Sequence, residues 1–112
     1  MSTEATRTTQ HVVGMIDEVP EGEGREFTAG GRRIAVFRPR GGAPAAVDAA
    51  CPHRQGPLAD GLLGTGTVVC PLHNRRFALD TGECDMPGQC AVAVYPVQVD
   101  DEGLIVVTVP CP

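Results

Sequence analysis

Two short windows, each pairing one cysteine with one histidine, constrain this chain more than any other feature of its sequence. They read Cys51-Pro52-His53 and Cys70-Pro71-Leu72-His73, with sixteen residues between them. The chain has 112 residues and only three histidines, and two of these histidines stand in the windows. Residues 49–75 are rich in glycine and proline, with one short apolar run at Thr67–Cys70. A glycine-rich stretch of this length inside a compact domain is usually functional or is stabilised by something other than an apolar core.

The rest of the sequence predicts an all-β fold. Glycine (14) and proline (10) are abundant, which favours many turns and short strands over a helical bundle. Short β-rich runs bounded by turn residues predict strands over residues 11–16, 25–28, 32–38, 45–48, 76–79, 92–99 and 104–109. The only helical feature that we expect is a single turn near Pro57–Gly61. Residues 1–10 are expected to be a disordered tail and residues 11–109 a single domain, with the metal-binding loops within 49–76.

The composition excludes several classes of protein. No run approaches the 18 or so apolar residues that a membrane-spanning helix needs, so no membrane partner is expected. The polar start of the chain lacks the apolar core of a secretory signal. A net charge of −5 without a basic stripe is unsuited to nucleic-acid binding. Five cysteines in a chain without an export signal indicate metal or redox chemistry, and the expected location is the cytoplasm.

The order of the four donors bears on which metal they bind. A zinc site commonly takes a cysteine pair followed by a histidine pair, often with the histidines on a helix. Here the two residue types alternate, and no helix is expected at the second pair. A Rieske [2Fe–2S] centre holds one iron with two cysteines and the other iron with two histidines. The donor set therefore favours an iron–sulfur cluster, and a structural zinc module is the alternative.

The order C-x-H followed by C-x-x-H, with a proline after each cysteine, resembles the Rieske iron–sulfur family over residues 11–109. The resemblance implies stacked antiparallel sheets with a cluster-binding subdomain of two loops. It also implies one [2Fe–2S] cluster per chain, with Cys51 and Cys70 on the inner iron. His53 and His73 would then bind the outer iron near the surface.

Within that family, residues 88–97 (GQCAVAVYPV) resemble the small subunits of NAD(P)H-dependent assimilatory nitrite reductases. That resemblance implies a large catalytic subunit with flavin and sirohaem as the partner, in an enzyme that reduces nitrite to ammonia. The segments CPHRQGPLADGLLG and CPLHNRRFALDTGEC are similar to many Rieske ferredoxins. The alternative is therefore a free Rieske ferredoxin that carries electrons from a flavin reductase to a ring-hydroxylating oxygenase.

The residues outside the two windows do not supply a catalytic centre. A mononuclear oxygenase iron needs two histidines and a carboxylate, and only His11, expected at the surface, is left. A four-cysteine cluster would need a fourth cysteine in addition to the three that remain, Cys84, Cys90 and Cys111. The first two are expected to be partly buried thiols and the third an exposed one. No strand–GxGxxG–helix unit is present for NAD(P)H. The chain is therefore expected to be an electron carrier or subunit that is not catalytic on its own.

Four positions near the windows bear on the reduction potential. Respiratory members of the family carry a disulfide between the loops, and serine and tyrosine hydroxyls that donate to sulfur. The corresponding residues here are Gly56 and Leu72 for the disulfide, and Arg75 and Phe77 for the hydroxyls. Because hydrogen bonds to sulfur stabilise the reduced cluster, a potential near the low end of the Rieske range, about −150 mV, is expected. Residues 51–76 carry +2 of the total charge of −5, which leaves −7 for the rest. This local positive charge would favour reduction and docking on an acidic partner surface.

Overall fold

The computed structural model of the chain describes residues 7–50, 57–71, 75–85 and 91–110. The strands in these residues are Thr8–Met15 (β1), Gly24–Ala29 (β2), Arg32–Phe37 (β3), Ala45–Asp48 (β4), Leu62–Leu63 (β5), Thr67–Val69 (β6), Arg76–Ala78 (β7), Val94–Tyr95 (β8), Val97–Val99 (β9) and Leu104–Pro110 (β10). They form three antiparallel sheets: a terminal sheet in the order β1-β10-β9, a central sheet β2-β3-β4-β8, and a small sheet β5-β6-β7. The predicted all-β class is confirmed. Two 3-10 turns, Ile16–Glu18 and Leu58–Asp60, are the only helical elements in the described ranges, and neither is long enough to cross a bilayer.

Strand β3 lies at the centre of the fold because its side chains are apolar on both faces. Ile34 and Val36 face one side, Ala35 and Phe37 face the other, and all four are fully buried. The sequence predicts this alternation, since successive side chains of a strand point to opposite faces. Each face contributes to a different apolar cluster. The basal cluster consists of Val19, Ala29, Ile34, Val36, Ala46, Tyr95, Ile105, Val107 and Val109. The loop-side cluster consists of Ala35, Phe37, Val47, Ala49, Leu58, Val68, Cys70, Phe77, Leu79 and Val92.

The first strand begins earlier than the sequence predicts. β1 starts at Thr8, whose partner across the sheet is Pro110, and it ends at Met15. Residues 8–10, which were expected to belong to the tail, are therefore part of the terminal sheet. Threonine favours extended backbone because of its branched β-carbon, and pairing with the long strand β10 supplies the hydrogen bonds. Residues 1–6 of the expected tail lie outside the described residues.

The predicted strand over residues 92–99 is wrong as a single element. Val97–Val99 pairs with β10, so the hairpin that the turn residues 100–103 predict between the last two runs is confirmed in this part. Val94–Tyr95 instead pairs with β4 and joins the central sheet. Pro96 separates the two strands, since proline has no N–H to donate and is disfavoured inside a strand. This segment of chain therefore passes from one sheet to the other at Pro96.

A polar clamp holds the end of β4 next to the first cysteine–histidine window. The Tyr95 hydroxyl donates a hydrogen bond to Asp48 Oδ1 at 2.6 Å, and the Ala93 amide donates to Asp48 Oδ2 at 2.9 Å. The Asp48 amide in turn donates to the Ala93 carbonyl oxygen at 3.0 Å. Asp48 precedes Cys51 by three residues in the sequence. The clamp thus fixes the backbone immediately before the window.

The single tyrosine makes this clamp measurable by titration. Burial raises the pKa of Tyr95 above 10.0, the hydrogen bond and charge of Asp48 raise it further, and Arg32 opposes the shift. We expect the near-ultraviolet tyrosinate absorbance of the folded protein to rise at a higher pH than that of an ordinary tyrosine. Because the raised pKa means that the folded state favours the neutral hydroxyl, its contribution to stability is complete below the unfolded pKa. That contribution is lost as the pH rises through the folded pKa.

Asp48→Asn is the matched variant for this titration, because it removes the charge and retains an oxygen that can accept a hydrogen bond. We expect it to lower the tyrosinate midpoint relative to the unchanged protein. A native midpoint at or below the ordinary tyrosine value would contradict the clamp.

Candidate metal centre

The first window lies in a chain segment whose two ends are paired with each other. Ala50 and Pro57 form an isolated antiparallel bridge, and the Leu58 amide donates to the Ala49 carbonyl oxygen at 2.9 Å. Leu58 opens the 3-10 turn that the sequence predicts here, and its side chain is fully buried in the loop-side cluster. The residues on either side of 51–56 are therefore neighbours, next to the loop-side cluster.

The second window connects the two paired strands β6 and β7. Val68 lies opposite Phe77, and Val69 lies opposite Arg76. The Cys70 amide donates to the Arg75 carbonyl oxygen at 2.8 Å, so the same register continues for one more residue on each strand. Cys70 is fully buried and belongs to the loop-side cluster.

A glycine lets the bases of the two loops approach each other. Gly61 follows the 3-10 turn, and a side chain at this position would overlap the Val69 carbonyl oxygen. The turn after the first window can therefore pack directly on the strand that leads to Cys70. Since Ala49 and Leu58 share the loop-side cluster with Cys70, the flanks of both windows meet in one place.

Of the four predicted ligands, Cys70 lies in the described part of the chain. The other three, Cys51, His53 and His73, lie outside the described residues. The flanking geometry fits a shared centre: Ala49 and Leu58 around the first window, and Cys70 and Phe77 around the second, all belong to the loop-side cluster. In sequence the two windows offer two thiolates and two imidazoles. This donor set matches a [2Fe–2S] centre with mixed ligands.

The other cysteines and the remaining histidine were expected to play no part in the centre. Cys84 is half-buried against the loop-side cluster, as predicted, and its Sγ donates to Asp85 Oδ1 at 3.6 Å. His11 is half-buried on β1, with its Nε2 2.8 Å from Thr9 Oγ1. Cys90 and Cys111 lie outside the described residues.

The described charged residues of the range 51–76 differ in their exposure. Arg76 and Asp60 are exposed, whereas Arg75 is half-buried and its Nη1 atom is fully buried. Arg54, the remaining charged residue of residues 51–76, lies outside the described residues. The sequence prediction considered these arginines only together, as a local positive charge, although alternation from the buried Phe77 could have separated Arg75 from Arg76. Leu62, on β5, is an apolar residue that is 76% exposed, and the sequence did not single it out.

Comparison with known proteins identifies the family. Residues 9–96 match the Rieske [2Fe-2S] domain family. The chain belongs to this family. The Rieske domain binds a [2Fe–2S] cluster and carries electrons, so the predicted fold and cofactor are confirmed.

Two kinds of relative share this Rieske domain. The anthranilate 1,2-dioxygenase ferredoxin subunit of Burkholderia cepacia is 39% identical over 101 residues, which is 88% of this chain and 92% of that protein. A Mycobacterium tuberculosis structure described as an NADH-dependent nitrite reductase small subunit has a TM-score of 0.84 at 28% identity, over 92% of this chain and 96% of that one. The ferredoxin of carbazole 1,9a-dioxygenase from Nocardioides aromaticivorans IC177 has a TM-score of 0.78 at 29% identity, over 88% and 96% of the two chains.

Proposed function

We propose that this Rieske protein holds its cluster through Cys51, His53, Cys70 and His73, in a domain that spans residues 8–110, and passes single electrons between two larger proteins. The observation that carries the ligand assignment is the position of Cys70. It is buried directly after β6, in the cluster that also contains Ala49 and Leu58, the residues flanking the first window. A pair of loops fixed in this way can hold two thiolates on the inner side and two imidazoles on the outer side.

The chain's own residues position the centre and limit its exposure to water. When bound, the cluster accepts or releases one electron, and the protein makes or breaks no covalent bond. The buried side chains of Leu58, Val68 and Phe77 lie beneath the window bases and exclude water from that side. Pro71, which follows Cys70 within the second window, is exposed. An electron would therefore pass through the exposed end of the loops, where the path to a partner is shortest.

We favour an oxygenase partner, for which this chain would be the ferredoxin. The support is the 39% identity to a dioxygenase ferredoxin subunit, over nearly the whole length of both chains. In that role the protein takes an electron from a flavin reductase and delivers it to a ring-hydroxylating oxygenase. The local net charge of +2 in residues 51–76 suits an acidic docking surface on either partner.

A nitrite reductase partner is the second candidate. It is supported by the similarity in fold to a nitrite reductase small subunit, with a TM-score of 0.84. The sequence of residues 88–97 supports it as well. In that role the chain would relay electrons within a complex whose large subunit carries flavin and sirohaem. That nitrite reductase role, suggested from the sequence, stays a prediction.

One experiment tests the centre and then the partner. Anaerobically purified protein is expected to be red-brown and, after dithionite reduction, to give the EPR signal of a Rieske centre. A colourless protein with one zinc ion per chain would refute the electron-transfer function. The reduced protein is then mixed in a stopped-flow instrument with the oxygenase component or with the sirohaem-containing large subunit of the same organism. Faster reoxidation by the oxygenase supports our assignment, and faster reoxidation by the large subunit overturns it in favour of nitrite reduction.

A further inference from the structure

Arg75 differs from every other arginine in the described part of the chain. Its Nη1 atom is fully buried and has no hydrogen-bond partner among the described residues. The ion pairs in those residues are Arg25–Glu23, Arg33–Glu26 and Arg40–Glu21, all at the surface, and none includes Arg75. A guanidinium N–H can only donate, and leaving it buried without an acceptor is unfavourable. The position therefore calls for an acceptor that the described protein atoms do not supply.

The register of the small sheet places Arg75 beside Cys70. Val68 opposite Phe77 and Val69 opposite Arg76 are followed by Cys70 opposite Arg75, with the Cys70 amide donating to the Arg75 carbonyl oxygen at 2.8 Å. Side chains directly opposite in an antiparallel pair lie on the same face of the sheet and are close enough to interact. Cys70 and Arg75 therefore share a face.

Alternation along the strands shows which face this is. Val68 and Phe77 are fully buried in the loop-side cluster, and Cys70 and Arg75 lie two residues from them on their respective strands. Arg75 thus faces the interior on the side of Cys70. Arg76 faces the opposite side with the exposed residue Leu62 and is itself exposed.

We propose that Arg75 raises the reduction potential of the cluster by donating its buried Nη1–H to a sulfide of the cluster, on the side where Cys70 would bind. The inference rests on the proposed ligation by Cys70. Reduction adds one electron to the cluster and no proton to Arg75, because the guanidinium is protonated in both states. A buried positive donor stabilises the more negative, reduced cluster. Arg75 thereby offsets part of the loss that follows from the missing hydroxyl donors at positions 75 and 77.

The test is the midpoint potential of the intact cluster-loaded protein in a set of matched variants. Arg75→Met removes the donor and the charge, Arg75→Gln keeps a donor without charge, and Arg75→Lys keeps the charge without the planar fork. Arg76→Met removes the same charge one residue away, on the exposed face. We expect Arg75→Met to lower the equilibrium constant for reduction about tenfold, which is ~59 mV for one electron. Arg75→Gln and Arg75→Lys should give intermediate shifts.

The salt dependence of the midpoint potential distinguishes the effect of Arg75 from that of Arg76. At about 1 M salt the screening length falls to ~3 Å, so the shift of the exposed variant Arg76→Met should disappear while that of Arg75→Met persists. A shift in Arg75→Met that is no larger than that in Arg76→Met, or that disappears equally in salt, would overturn the proposal. If Arg75→Met loses its iron, the same comparison is made with Arg75→Gln and Arg75→Lys. Unchanged potentials in both of these variants would refute the role of Arg75.

A direct readout uses protein labelled with ¹⁵N-arginine. Pulsed EPR of the reduced protein should show coupling of the cluster to an arginine nitrogen, which Arg75→Lys removes and Arg76→Lys retains. Retention of the coupling in Arg75→Lys would contradict the assignment. The wild-type EPR signal distinguishes failure of the proposed function from failure of this inference. Its absence refutes the proposed function, whereas its presence with unchanged potentials refutes only the role of Arg75.

Discussion

Cys70→Ser is expected to give a colourless protein without a Rieske EPR signal, whereas Cys84→Ser should keep both the colour and the signal. Cys70 is fully buried in the loop-side cluster, together with Ala49 and Leu58 on either side of the first window. Loss of a thiolate ligand leaves an iron without full coordination, so the intact cluster is not retained. Because metal binding contributes to folding stability, the variant should also unfold at lower denaturant concentration than the loaded protein.

Cys84 is a close control for that experiment because it is a cysteine packed against the same apolar cluster. Visible absorption, iron and sulfide content, and EPR are measured on both variants prepared in parallel. An unchanged spectrum in Cys70→Ser, or loss of the cluster in Cys84→Ser as well, would show that the ligand assignment is wrong. Cys51→Ala and His53→Ala extend the test to the first window, and both should abolish the intact cluster.

Phe77→Ala should lower the free energy of unfolding by about 3–5 kcal/mol, the range typical of a buried phenylalanine truncated to alanine. Phe77 is fully buried in the loop-side cluster and lies opposite Val68. Removing the ring leaves a cavity that the paired strands can only partly fill. Urea unfolding followed by circular dichroism measures the change. The slope of the unfolding free energy against urea concentration should stay the same. The same variant should release iron faster, since Phe77 supports the strand that follows the second window.

Phe27→Ala is the matched control, since Phe27 is only half-buried and packs at the edge of the basal cluster. The sequence offers Phe27, Phe37, Phe77 and Tyr95 as its large core candidates, and the structure buries the last three fully or nearly fully. The smaller area buried at Phe27 predicts a smaller loss of stability. Equal losses in the two variants would contradict the packing described for Phe77.

Local patterns in the sequence predict most of the fold. Alternation over 32–38 identifies a strand that is apolar on both faces, and β3 is buried on both faces. The turn residues around Gly30-Gly31 predict the β2–β3 hairpin, which is confirmed. The partner strands of residues 92–99 could not be predicted. Pairing across long stretches of sequence depends on packing, and Pro96 marks a change of sheet that periodicity does not reveal.

The candidate site is predictable in its chemistry and less so in its surroundings. Spacing and residue type identify two cysteines and two histidines because few other patterns place such donors so close together. The clamp between Asp48 and Tyr95 joins residues 47 positions apart, so no local motif records it. The distinction between Arg75 and Arg76 depends on the register of β6 and β7, which places Cys70 opposite Arg75. This register is known from the structure and not from the sequence.

The sharing of β3 between two apolar clusters has a consequence for how the protein matures. The side chains named for the basal cluster all come from outside the two windows, so they can be buried as soon as the polypeptide is complete. The loop-side cluster includes Cys70, so its assembly is linked to the arrival of iron. We therefore expect iron starvation to leave a chain that is folded on one side of β3 and ready for cluster insertion on the other. Slow amide exchange confined to the basal side of such a chain would reveal this intermediate.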